Sequence, residues 1–221
     1  MRARVVDDAA SNVHGNLEKE RGYYVIGVNP RFGLQRKRFT VCHEISHIFF
    51  EEASVAFYLR AKRLDRQTVT EEKLCDRGAA ELLMPTETFV SFVKGRIPDL
   101  TLLKEISSVF DVSRTAAANR IVELATQPVA VVVWFKSESH AAVSLSPKQF
   151  SKTFPNLFTV APPEVKACLS DKAPKSQEAT WFGGGRERRL ICESLPLISK
   201  TEGDYNPNVP VVLSLVRLAD P

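Results

Sequence analysis

Apolar positions change period along the chain, and the changes mark the elements. Tyr23–Val28, YYVIGV, is a compact run of aromatic and β-branched residues and predicts a strand. Asn29-Pro30 and Gly33 then predict a loop. From about Arg38 the stretch RFTVCHEISHIFFEE reads as a helix. A second helix, TEEKLCDRGAAELL from Thr70, ends at Met84-Pro85, because a residue before proline disfavours helical geometry. Thr68 is the preferred start for that helix, since Glu71 three residues on completes a capping box. Thr86–Val93 predicts a short helix after it.

Beyond Ile97 the pattern changes twice. In 98–126, Leu102–Phe110 has helical spacing, Asp111-Val112 predicts a turn, and Ser113 is placed to cap a helix over Arg114–Leu124. Two short helices and a tight turn fit either a helix-turn-helix or a plain two-helix connector. The second helix carries only Arg114 and Arg120 as basic residues. In 127–221, Val129–Phe135, Arg188–Glu193 and Val209–Leu218 predict strands and Pro162–Leu169 a helix, separated by Pro, Gly and Ser loops. Gly183-Gly184-Gly185 lacks phosphate-loop spacing and predicts a turn between strands. The expected architecture is α+β: residues 1–97 form one domain, 98–126 a helical segment and 127–221 a small α/β domain.

Composition narrows the function classes. The chain has 221 residues, 44 % hydrophobic and 25 % charged, in the range of globular proteins. A net charge of +4 is too small to argue for direct nucleic-acid binding. Cys42, Cys75, Cys168 and Cys192 form no C-x-x-C pair, and the N-terminus has no secretory signal, so they read as reduced thiols of a cytoplasmic protein. The longest apolar run, Pro128–Phe135, is far shorter than the ~20 residues of a membrane-spanning helix.

The segment His43-Glu44-Ile45-Ser46-His47 carries the candidate chemistry. Residues four apart share a helix face, so His43 and His47 can reach one metal ion. Neutral imidazole suits zinc, and Glu44 beside His43 is placed to take a proton from an attacking water and pass it to a leaving amine. Ile45, Ile48, Phe49 and Phe50 would pack the helix and exclude water. His14 and His140 lie in stretches without a motif, which favours three ligands over a closed structural shell.

The third ligand is expected on the next helix. With Glu72 at zero, Asp76 lies at about 40°, Ala79 at about −20° and Leu83 at about 20°, whereas Glu71 lies about 100° away and Glu81 opposite. Glu72 is therefore expected as ligand and Asp76 as acceptor for a histidine N–H, with Glu71 used as a helix cap. Small Ala79 and Ala80 would let the two helices approach. Tyr23, Tyr24, Tyr58 and Arg63 remain alternatives for stabilising an oxyanion, and Tyr23–Val28 is expected to offer a sheet edge to an extended peptide. Cys42 and Cys75, near this site, read either as redox-sensitive thiols or as small buried hydrophobes.

RKRFTVCHEISH followed by EEKLCDRGAAELLMP resembles the ImmA/IrrE family of metallopeptidases, matching over Arg36 to His47 and Glu72 to Pro85. The resemblance implies a zincin-like peptidase domain, a zinc ion (with manganese as an alternative activating metal) and a GAF-like C-terminal sensor or docking domain. It further implies site-specific cleavage of a helix-turn-helix repressor in a stress response. The rival expectation is a non-enzymatic transcriptional regulator or ligand sensor acting through 98–126 and the C-terminal domain.

Overall fold

A computed structural model describes residues 2–8, 15–52, 71–125, 129–135, 141–145, 163–183, 186–197 and 210–219. The chain is α+β and packs as two units. The first comprises residues 1–91 and 110–113, and the second 92–109 and 114–221.

The first unit is built on β1 (Ala3–Asp7), β2 (Gly15–Glu20), β3 (Tyr23–Val28), α1 (Leu34–Glu52) and α2 (Glu71–Leu83). The sheet order is β1-β3-β2, with β1 parallel and β2 antiparallel to β3. Arg21-Gly22 links β2 to β3, and Gly22 takes a φ of 87°, which suits a residue without a Cβ. Tyr24, Ile26 and Val28 alternate onto one face of the central strand. They form a core with Ile48, and Val41, Ile45 and Leu17 pack around it. Val41, Ile45 and Ile48 follow helical spacing, so one stripe of α1 lies on the sheet and His43 and His47 are held off it.

The expected sheet edge at Tyr23–Val28 is overturned by this order: β1 and β2 take up both of its edges. α1 also starts a turn earlier than expected. The Gly33 carbonyl accepts from the N–H groups of Arg36 and Lys37, so the polar stretch before Arg38 is already helical. The caps expected at Thr68 and Thr70 lie outside the described residues.

α1 and α2 approach closely at Ser46 and Gly78. Ala79 is fully buried, as is Cys75 one turn earlier. A Cβ built on Gly78 would sit 2.9 Å from Ser46 Cβ and closer still to its Oγ. Ser46 has little freedom to retreat, being buried and donating from Oγ to the Cys42 carbonyl at 2.9 Å. Glycine to alanine inside a helix ordinarily stabilises by about 0.5–1 kcal/mol. Gly78→Ala should have the opposite sign, costing about 1–3 kcal/mol through overpacking. Urea denaturation of the two proteins measures this.

After α2, α3 (Thr86–Val93) follows Pro85, and its Phe89 is wholly buried and stacks on Phe110 at 5.8 Å between ring centroids. The second unit holds α4 (Leu100–Val109) and α5 (Arg114–Leu124), with the Phe110–Ser113 turn between them packed in the first unit. Asp99 caps α4 through Leu102 N–H at 2.7 Å. Asp111 adopts a left-handed φ of 49° in the turn. Arg38 of α1 donates to the Asp111 carbonyl at 2.6 Å and to its carboxylate, which pins the turn to the helix bearing the histidines.

β4 (Val129–Phe135), β5 (Ala141–Leu145), α6 (Pro163–Asp171), β6 (Lys175–Gly183), β7 (Arg186–Pro196) and β8 (Pro210–Leu218) complete the second unit. The sheet is antiparallel in the order β5-β4-β8-β7-β6. Val129–Trp134 is buried throughout, so β4 is covered on both faces. Trp134 Nε1 donates to Ser214 Oγ at 2.9 Å, and Ser214 meets Ser194 at 2.7 Å, which satisfies these buried polar groups. Gly183 pairs with Arg186 across β6 and β7. Gly184 and Gly185, the rest of the expected turn, lie outside the described residues.

Candidate metal centre

His43 and His47 stand one turn apart on α1, and α2 brings its acidic first turn against them. His43 Nε2 lies 3.2 Å from His47 Nε2 and 3.2 Å from Glu72 Oε2, and His47 Nε2 lies 3.5 Å from Glu72 Oε1. Ligand atoms about 2.0–2.2 Å from a tetrahedral ion are separated from one another by about 3.3–3.6 Å. Glu72 turns one oxygen to each histidine, one ligand atom from each of the three residues can be chosen within 4.8 Å of the others, and two imidazoles and a carboxylate suit a zinc ion.

The outer nitrogens are occupied too. His43 Nδ1 lies 3.0 Å from Asp76 Oδ1, and His47 Nδ1 lies 3.3 Å from Glu71 Oε1. An Nδ1–H donated to a carboxylate leaves the Nε2 lone pair free for a metal. The histidines are mostly buried, at 15 % and 19 % side-chain exposure, whereas Glu72 is 69 % exposed and reaches in from the solvent side. Of the sequence-derived site residues, the structure brings together His43, Glu44, His47, Glu72 and Asp76. It also adds Glu71, which the helical-wheel argument had turned away.

Glu44 is buried and lines a cleft of about 420 Å³ with Gly15, Arg36, Phe39, Thr40 and His43. Burial pushes its carboxyl above the usual range; His43 and His47 pull it back, while Glu72 adds to the rise. Gly15, at the start of β2, lies so close that a Cβ there would come 3.1 Å from Glu44 Oε1 and clash with Thr40. Sequence reasoning missed Gly15. The one signal was a glycine opening a short polar stretch that hid its strand character.

Tyr24 belongs to the sheet core, and the Tyr23 hydroxyl donates to Glu20, so neither lines the cleft. Tyr58 and Arg63, like His14 and His140, lie outside the described residues. Cys75 is wholly buried, and burial together with the carboxylates of Glu71, Glu72, Glu44 and Asp76 pushes its thiol up to about 12. Burial also raises Cys42. Cys75 packs as a small apolar side chain.

The sequence profile of the peptidase M78 family, described as the IrrE N-terminal-like domain, matches residues 3–122. The chain belongs to this family. The match runs from β1 through α5 and takes in both metal-site helices. A relative within the IrrE-like group is the radiation response metalloprotease IrrE of Deinococcus deserti, 33 % identical over 113 residues. That match covers 50 % of this chain and 40 % of the relative, so the chain is compared with less than half of that protein. Among solved structures, a Mycobacterium tuberculosis transcriptional regulator superposes with a TM-score of 0.69 at 14 % identity, covering 97 % of this chain and 65 % of that one. At that identity the likeness concerns the fold alone.

Proposed function

We propose that the chain is a cytoplasmic, zinc-dependent endopeptidase that cuts a helix-turn-helix transcriptional repressor at one site during a stress response. The observation that carries this reading is the spacing of the His43, His47 and Glu72 donor atoms at 3.2, 3.2 and 3.5 Å beside a buried Glu44. The family supports the chemistry, and the printed name of the Deinococcus relative supports the link to stress. Among the described residues no helix is long and apolar enough to cross a membrane.

His43, His47 and Glu72 hold the metal, and Asp76 orients His43. A bound zinc ion supplies a Lewis acid that polarises the scissile carbonyl and acidifies water. Glu44 takes the proton of the attacking water and delivers it to the departing amine, and its raised affinity for protons suits it to both steps. β2 replaces β3 as the strand that receives substrate. It lies at the edge of the sheet, and its Gly15 lets the backbone come against Glu44. Manganese is the alternative activating metal. Residues 127–221 act as a GAF-like sensor or docking module, for which the five-stranded antiparallel sheet they form is the supporting feature.

A regulator that binds DNA through 98–126 has less support. α5 buries Ala117, Ala118, Ile121 and Val122, and its Arg120 is also buried, 2.8 Å from Glu123. A helix that hides one of its two arginines has little charge to offer phosphates. The deciding experiment incubates the zinc-loaded protein with helix-turn-helix repressors encoded beside its gene. One discrete fragment pair, read by mass spectrometry, is expected. Intact repressors, or indiscriminate digestion of unrelated unfolded proteins, would sink the reading.

A further inference from the structure

We propose that Glu71 is a positioning residue for His47, so that each metal-binding histidine has its own carboxylate partner on α2. The inference rests on the metal site proposed above and extends it to a residue whose obvious use is as a helix cap. Glu71 and Glu72 are neighbours in the first turn of α2, yet they address opposite sides of the same imidazole. Glu72 Oε1 is 3.5 Å from His47 Nε2, and Glu71 Oε1 is 3.3 Å from His47 Nδ1. Asp76 does the same for His43, at 3.0 Å from Nδ1. The result is a paired arrangement in which both inner nitrogens converge with Glu72 and both outer nitrogens meet carboxylates.

The physical role is orientation. An imidazole on a helix can rotate about its side-chain bonds and can carry its proton on either nitrogen. A carboxylate at Nδ1 selects the tautomer whose Nε2 lone pair is available, and fixes the plane of the ring. His43 is additionally steadied by Phe39, with ring centroids 6.3 Å apart. Among the described polar groups, Glu71 is the one at hydrogen-bond distance from His47 Nδ1. The side chain of Glu71 is 46 % exposed, so its charge is screened by solvent and the hydrogen bond is the larger part of its effect.

The test compares Glu71→Ala and Glu71→Gln with wild type in the full chain. Zinc affinity is read by chelator competition, the cobalt-loaded absorption spectrum reports ligand geometry, and the unfolding midpoint is measured without metal. Glu71→Ala should weaken zinc binding by about 10–100-fold and alter the cobalt spectrum. Glu71→Gln keeps an oxygen that accepts the Nδ1–H and should retain most of the affinity. The metal-free midpoints should agree. Wild-type affinity in Glu71→Ala would overturn the proposal, as would a glutamine variant as weak as alanine. So would a fall in the metal-free midpoint large enough to account for the lost affinity, since that is the signature of a cap. None of these outcomes bears on whether the protein is a peptidase, which the repressor-cleavage experiment decides separately.

Discussion

If the proposed function holds, Glu44→Gln should bind zinc like wild type and cleave the proposed repressor substrate about 10²–10⁴-fold more slowly, the range over which a general acid–base group contributes. The substitution preserves size in a buried position and removes the group that takes the proton. Glu44 is not one of the three converging donors, so the metal should stay. The amide is also easier to bury than the carboxylate, whose charged form the surroundings already disfavour. The variant should therefore be at least as stable as wild type. Rates from single-turnover cleavage, beside zinc content by elemental analysis, decide the matter. Cleavage at the wild-type rate would remove Glu44 from the mechanism, and loss of zinc would make it a ligand.

His43→Ala should abolish tight zinc binding, and His47→Ala should do the same. Each removes one of three protein donors, and the remaining pair lacks the set that holds a catalytic zinc. The loss should exceed the about 10–100-fold of an outer partner such as Asp76. Thermal unfolding gives a direct readout. A ligand that binds only the folded state stabilises it by about 4 kcal/mol at a thousandfold excess over Kd. Wild type should show a zinc-dependent rise in Tm, and the two variants none. A full rise in either variant would place the metal elsewhere.

What the sequence made legible follows the range of the interaction responsible. The histidine pair and Glu44 sit within five residues, and helix geometry alone puts them on one face. Glu72 and Asp76 needed a second helix, but their own spacing was again local. The contact of Glu71 with His47 was not foreseen, because the wheel treats a helix as meeting its neighbour along one line. The first turn of α2 instead spans the His47 ring, so residues about 100° apart can serve opposite edges of it. Strand β3 was readable from its uninterrupted apolar run. β1 and β2 were not, because ARVVD and GNLEKE are largely exposed, and backbone pairing with β3 organises them more than burial does. The same blindness placed a substrate edge on what proved to be the middle strand. β5 and β6 also escaped notice, since AAVSL and KSQEATWFG carry weak alternation. The helix pair over 98–126 was recognisable from its leucine and isoleucine spacing, but the cap at Asp99 went unread behind Pro98.

Because Phe110–Ser113 packs in the unit that carries His43, His47 and Glu72, that unit is discontinuous in sequence. Its completion is therefore tied to the order of synthesis. Arg38 meets the Asp111 carbonyl across 73 residues, and Phe89 receives Phe110 only after all of α4 has been made. A nascent chain that has produced both histidines and Glu72 still lacks the contacts that pin the start of α1, which carries the histidines. A truncated translation product ending before Phe110 would carry His43, Glu44, His47 and Glu72 and yet lack the contacts that complete their unit.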